Sequence, residues 1–260
     1  MPLILSSIND GVQTITLNRP DRYNSFTEPM ALEMQSALSK AESADVRCIV
    51  IKAEGKAFCA GQDLPEVVER AKDANYELAD TVNTTYNPII RMIRNLAKPV
   101  VCAVQGTAAG AGVNIAFACD IVVASKSACF IQAFSKIGLI PDSGGTFFLP
   151  RLAGFARTNA MYLLDEKISA EKAVEIGLIY KAVEADSLSG EVDTIAKKLA
   201  DMPTKGFALF KEAINQTYHN TLDEQLTLEA KLQSEAGKTA DYKEGVSAFL
   251  EKRSPNYIGS

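Results

Sequence analysis

The chain reads as an α/β protein in which a body of short strands and helices is followed by helices alone. Three observations predict this. Val100–Val104 is a short apolar run rich in β-branched residues, long enough for a buried strand. Residues 119–125, CDIVVAS, repeat that character after a Gly-rich interval. From residue 188 onward the apolar spacing is helical to the end with no strand between, the pattern of a helical module joined to a sheet-containing body.

The elements follow in order. Residues 11–17, GVQTITL, alternate apolar and polar side chains and predict a half-buried strand, with a partner at 3–6. NRPDRYNSF then breaks it, because Pro20, Asp21 and Asn24 are turn formers. Met30, Leu32, Met34, Ala37, Leu38 and Ala41 have the spacing of an amphipathic helix, and residues 48–52 return to strand. EGKAFCAGQDL at 54–64 sets Gly55 and Gly61 around a short apolar piece. Residues 66–96 are helical in character, with interruptions predicted near Asn75 and at Asn87 and Pro88, where proline removes a helix bond.

Residues 98–150 organise the rest. After the Val100–Val104 strand, Gly106, Gly110 and Gly112, interleaved with Ala108, Ala109 and Ala111, leave almost no side-chain bulk. They feed a short helix over 113–118, whose first N–H groups would point unpaired at whatever lies in front. A second Gly-rich turn carries one acid, Asp142. Helices are predicted beyond it at 155–164 and 169–176, the latter capped by Ser169, then a strand at 179–183. Helices at 188–200, 205–218, 221–234 and 242–252 complete the chain.

Composition narrows the function classes. At 260 residues and 47% hydrophobic, the chain holds one sizeable core plus a small appendage. A net charge of −5 with no dense Lys/Arg block argues against a nucleic-acid groove. Five cysteines, odd in number and without a C-x-x-C pair, indicate neither a disulfide framework nor a zinc site, which suits a reducing cytoplasm. Residues 1–10 have only a four-residue apolar run, too short for a signal peptide, and no window approaches the ~18 apolar residues of a membrane span.

Five ordered motifs carry a resemblance: NRP at 18–20, KAFCAGQDL at 56–64, KPVVCAVQGTAAGAG at 98–112, CDIVVAS at 119–125 and GLIPDSGGTFFLPRLAG at 138–154. Together they resemble the crotonase, or enoyl-CoA hydratase/isomerase, superfamily over nearly the whole chain. FCAGQDL, AAGAG, AFSKIGLIPD-x-GGT and the late ADYKEGVSAFLEKRSP are similar to its branch of ring-epoxide phenylacetyl-CoA isomerases. The resemblance implies a crotonase-like spiral of ββα units in two roughly perpendicular sheets, with a core and acyl-CoA site in residues 1–200. It further implies a C-terminal helical trimerisation module in 201–260, a homo-oligomer (trimer or dimer of trimers), and coenzyme A as part of the substrate. No separate cofactor, metal, nucleic acid or membrane partner is expected.

Family chemistry rests on a thioester carbonyl held by two backbone N–H groups. As negative charge moves onto that oxygen the α-carbon becomes acidic, and each preorganised donor is worth about 10²–10³ in rate. Motif position puts these donors at the amides of Ala60 and Ala111, with Gly110 and Gly112 leaving the second open to a one-residue shift. Gly61, Gln62, Asp63, Leu64, Gly110 and Gly112 are expected to line the substrate. Arg22 or Lys56 would meet coenzyme A phosphates, or be ordinary solvated charges.

Hydratases of the family use two glutamates, and the matching positions here are Asn114 and Phe134, neither able to take a proton. That argues against hydration. Asp142 remains, where isomerases of the family carry a catalytic carboxylate, and a lone carboxylate suits a proton shuttle. Phe134, Ile137, Leu139 and Ile140 around it would raise its pKa by desolvation. A competing reading makes Pro-Asp-Ser-Gly-Gly a turn and helix cap, with Asp142 or Ser143 accepting backbone N–H bonds. Asp120 reads as structural, His219 as a surface residue, and Phe134, Phe147 and Phe148 as either acyl-pocket walls or core. The expected function is an acyl-CoA isomerase converting 2-(1,2-epoxy-1,2-dihydrophenyl)acetyl-CoA to its oxepin. The alternatives are a Δ3,Δ2-enoyl-CoA isomerase, a thioester hydrolase with Asp142 as nucleophile, or a non-catalytic scaffold.

Overall fold

A computed structural model describes residues 1–260. Strands β1 (Ile4–Asn9) and β2 (Val12–Leu17) form a hairpin. Its two-residue turn has Asp10 at φ +47° and Gly11 at φ +76°, the pair of positive angles that matches strand twist. Helix α1 (Glu28–Lys40), capped by the Thr27 hydroxyl, turns Met30, Met34, Ala37 and Leu38 into the core and returns the chain to β3 (Cys48–Ala53), parallel to β2. Helices α2 (Leu64–Arg70) and α3 (Leu78–Thr81), a π-helical turn at Val82–Tyr86 and α4 (Asn87–Asn95) follow. The expected interruption at Asn87 and Pro88 coincides with the boundary where the π-helical turn gives way to α4, without a break in the helical path. Proline sits in the first turn of α4, where its missing N–H is one of the unpaired ones anyway.

Next come β4 (Val100–Val104), β5 (Ala108–Ala109), α5 (Ala111–Ala118), β6 (Ile121–Ser125) and β7 (Cys129–Ile131). Helix α6 spans Gly145–Leu163 and is kinked at Gly154, where φ +76° and ψ 165° leave the helical region. Its first half lay outside the predicted 155–164 because Gly144, Gly145 and Pro150 weaken the local helical signal. The chain then runs through β8 (Ile168–Ser169), α7 (Ala170–Glu175), β9 (Lys181–Val183), α8 (Leu188–Ala200), α9 (Thr204–Gln216), α10 (Leu222–Ala236) and α11 (Ala240–Glu251). No helix is long and apolar enough to cross a membrane.

The larger sheet has the order β1-β2-β3-β4-β6-β9, parallel except for the β1–β2 hairpin; β5, β7 and β8 make a second, three-stranded sheet. Strand alternation splits the core. Ile49, Ile51, Val100, Cys102 and Val104 face the main core with Met30, Met34, Ile115 and Phe130. Cys48, Val50, Val101, Ala103 and Val123 face the other way and are covered by Leu188, Val192, Ala196 and Ala200 of α8. Burial on both faces explains why β4 and β6 are unbroken apolar runs. Helix α9 is anchored by buried Lys211, whose Nζ donates to the carbonyls of Ile93 (2.8 Å) and Lys98 (3.2 Å) and to Asp120 Oδ2 (2.7 Å). Asp120 also accepts the Val100 N–H and pairs with Arg94, so its role is structural.

Candidate active site

Two Gly-rich loops, one after β3 and one after β4, are zipped together. Phe58 N–H donates to the Thr107 carbonyl at 3.0 Å and Ala109 N–H to that of Cys59 at 2.8 Å, while Gly110 N–H ties the second loop to the Ile131 carbonyl of β7 at 3.0 Å. Gly61 permits the contact. It has φ +88°, and a Cβ there would stand 3.0 Å from the Ala109 carbonyl oxygen and 3.5 Å from the Ala111 nitrogen. Gly112 closes the seam from the other side, since a Cβ would fall 2.5 Å from Cys59 Sγ.

Ala60, expected as the first oxyanion donor, does not have a free amide. Its N–H donates to the Tyr23 carbonyl at 2.9 Å. Two residues on, Gln62 forms a parallel bridge with Phe26, in which Phe26 donates to the Gly61 carbonyl (2.7 Å) and accepts from the Asp63 N–H (2.9 Å). A residue bridged this way turns its own N–H away from the partner strand. Gln62 N–H therefore has no acceptor in the protein, and neither does that of Ala111, which opens α5. The free amides at the seam are those of Gln62 and Ala111, the latter reinforced by the helix dipole.

The side chain of Gln62 is fully occupied. Nε2 donates to the Phe26 carbonyl and to Glu66 Oε2, both at 3.3 Å, while Oε1 accepts the hydroxyl of buried Tyr86 at the end of the π-helical turn. Asp63, expected to line the substrate, is instead a clamp. Its carboxylate takes Arg19 Nη1 at 2.6 Å and caps α2 through the Glu66 N–H at 3.1 Å. Burial alone would raise its pKa, but the Arg19 and Glu66 bonds outweigh that and hold it below the usual range. Leu64 is about half exposed at the start of α2, Arg22 is exposed, and Lys56 Nζ lies 5.2 Å from the Tyr23 ring centroid. His219 is exposed beyond α9.

Asp142 sits in the turn before α6. Its main-chain oxygen accepts the Gly145 N–H (2.8 Å) and Asn114 Nδ2 (2.9 Å); its carboxylate Oδ1 accepts the Ser143 hydroxyl (2.8 Å). No N–H of α6 reaches the carboxylate, and the residue at the helix cap is Gly144, so the capping alternative is not realised. Burial raises the Asp142 pKa, with the Ser143 bond working against it. Two of the expected apolar neighbours do not enclose it: Ile137 and Ile140 are 51% and 72% exposed. Phe134 is buried, with Cζ 3.9 Å from where a Gly110 Cβ would lie. Phe147, partly exposed, meets Phe148 edge-to-face at 5.3 Å between centroids.

Asn114, on the third residue after Ala111, is fully buried and paired with fully buried Gln132: Gln132 Nε2 donates to Asn114 Oδ1 at 3.1 Å, and Asn114 Nδ2 lies 3.5 Å from Gln132 Oε1. Sequence reasoning singled out Asn114 but did not find its partner Gln132, nor Tyr86 as the partner of Gln62, and it read Ser143 as a cap and not as a donor to Asp142. A polar Gln132 inside the apolar CFIQAF run was the one available signal, because a buried amide demands a partner.

Comparison with known proteins identifies the family. Residues 7–260 match the family model for enoyl-CoA hydratase/isomerase. The chain is 48% identical over 260 residues to the 1,2-epoxyphenylacetyl-CoA isomerase of Escherichia coli, covering 100% of this chain and 99% of that one. It is 38% identical over 258 residues to the trans-2-decenoyl-[acyl-carrier-protein] isomerase of Streptococcus mutans, covering 98% of each. A crystal structure of enoyl-CoA hydratase from Bacillus anthracis superposes with a TM-score of 0.93 at 32% identity, covering 99% of this chain and 100% of the other. The chain is an enzyme of the α/β crotonase class and belongs to the enoyl-CoA hydratase/isomerase family.

Proposed function

We propose that this enzyme is an acyl-CoA isomerase in which the amides of Gln62 and Ala111 hold the thioester oxygen and Asp142 moves the proton. The observation that carries the reading is a single carboxyl group, made more basic by burial, with only amide and phenyl side chains at the positions of a hydratase's acid–base pair. Water activation needs a second proton carrier on the opposite side. A shuttle does not. Two N–H donors stabilise the enolate oxygen while Asp142 takes a proton from one carbon of the acyl chain and returns it to another.

Within that chemistry, the 48% identity to an epoxyphenylacetyl-CoA isomerase favours 2-(1,2-epoxy-1,2-dihydrophenyl)acetyl-CoA as substrate, rearranged to the seven-membered oxepin. The second reading is a Δ3,Δ2-enoyl-CoA isomerase, favoured by the similarity to an isomerase of decenoyl thioesters. Exposed Phe155, Phe210, Leu222 and Phe249 on α6, α9, α10 and α11 support a homotrimer in which the C-terminal helices meet neighbouring copies. Arg22 and Lys56, exposed beside the seam, are proposed to meet the phosphates of coenzyme A.

Mass-spectrometric turnover of both substrates in deuterated water, with wild type and Asp142→Asn, tests this. Product from wild type only, with deuterium at the moved position of a 3-enoyl-CoA, is the expected result. Equal turnover by the variant would remove Asp142 from the mechanism.

A further inference from the structure

We propose that Asn114 is a positioning residue that sets Asp142 against the oxyanion site, so that one rigid helix carries both halves of the chemistry. This rests on the isomerase reading above. Ala111 N–H opens α5, and Asn114 stands one turn later on the same helix. The Asn114 amide donates at 2.9 Å to the main-chain oxygen of Asp142, the same oxygen that accepts the Gly145 N–H. That oxygen is the pivot of the turn. A shift of Asn114 moves the turn, and with it the carboxylate, relative to the thioester oxygen held at the helix start.

Three further features surround the amide. Asp142 presents a carbonyl oxygen, which only the NH₂ end of Asn114 can satisfy, and Gln132 Nε2 donates to the other end, Asn114 Oδ1, at 3.1 Å. Gly145 leaves room for it, since a Cβ there would fall 2.5 Å from Asn114 Nδ2. Both amides are fully buried, so no water substitutes for a lost bond. Asn114 touches neither the carboxylate nor, on this reading, the reacting carbons; it acts through the backbone of Asp142.

The roles of Asn114 and Gln132 separate experimentally. In Asn114→Leu the Asp142 oxygen loses its side-chain donor; in Gln132→Leu that donor is retained and only the amide pair is broken. Isomerisation of a 3-enoyl-CoA is followed for both variants, for Asp142→Asn and for Asn114→Leu/Asp142→Asn, alongside thermal melts. The expected result is a loss of about 10²-fold in kcat for Asn114→Leu, the scale of a 1 Å misplacement, with KM within twofold. Gln132→Leu is expected to lower the melting temperature comparably but kcat by less than about fivefold. In the Asp142→Asn background Asn114→Leu is expected to add nothing. Equal kcat losses in the two leucine variants, or a loss confined to KM or to the melt, would overturn the proposal. Should Asn114→Leu not fold, Asn114→Ser replaces it and must show the same split between kcat and KM. Full activity of Asp142→Asn defeats the isomerase mechanism itself, whereas an inactive Asp142→Asn beside a fully active Asn114→Leu defeats only the positioning role.

Discussion

The hydroxyl of Ser143 donates to Oδ1 of Asp142 at 2.8 Å, from a residue held at φ +51° and almost wholly buried. A left-handed backbone is a costly place for a residue with a side chain. Here the side chain reaches the carboxylate proposed to move the proton. Burial disfavours the Asp142 carboxylate and the hydroxyl favours it, so the two oppose each other over when this group is ionised.

Removing the hydroxyl takes away the larger of the two hydrogen bonds that oppose burial, leaving only that of the Asp142 main chain. Ser143→Ala is therefore expected to raise the Asp142 pKa further and move the acid limb of the kcat/KM profile to higher pH, because less of the base is ionised at any given pH. A pH–rate profile of wild type and variant checks this. An acid limb that stays in place, or moves to lower pH, would contradict the assignment.

Asp142→Asn is expected to lower kcat by about 10²–10⁴-fold, the usual contribution of a positioned acid or base. It is also expected to stabilise the fold at neutral pH. The sign follows from linkage: a carboxyl whose folded pKa is raised lends stability below its unfolded pKa and loses it as pH rises through the folded one. Asparagine carries no such penalty. Melting temperatures should separate at pH 7 and converge under acid conditions below the unfolded carboxyl pKa.

Gly61→Ala attacks the seam. The new Cβ meets the Ala109 carbonyl oxygen at 3.0 Å, on a backbone at φ +88° that alanine resists. The loops must part and the Gln62 amide moves with them. A loss of about 10²–10³ in kcat is expected, equivalent to one oxyanion donor. Steady-state kinetics with binding of a non-reactive acyl-CoA measured in parallel will show whether the loss lies in the chemical step.

Asp120→Ala leaves the Lys211 ammonium buried without its carboxylate partner, and burial already pulls the Lys211 pKa down. A cost of about 3–5 kcal/mol in stability is expected. Lys211→Met should cost less, because Asp120 keeps Arg94 and the Val100 N–H. Urea denaturation of both variants tests the order, while kcat of the folded fraction should be unchanged.

Much of this was legible in the chain itself. Apolar runs and glycine spacing determined the α/β class, the β4 strand and the placing of Asp142 in a Gly-rich turn, since these depend on local pattern and on motif order; the start of α5 was legible to within two residues of Ala111. Asn114 and Phe134 stand where the resemblance places a hydratase's acid pair. What the sequence did not contain was the accounting of backbone hydrogen bonds. Whether Ala60 or Gln62 offers a free N–H depends on Tyr23 and Phe26, distant residues that consume some amides of the CAGQDL loop and leave others. Asp63 likewise is available by sequence but taken by Arg19 in the fold. Local sequence selects which groups can do chemistry; only tertiary packing decides which of them are already spent on holding the fold.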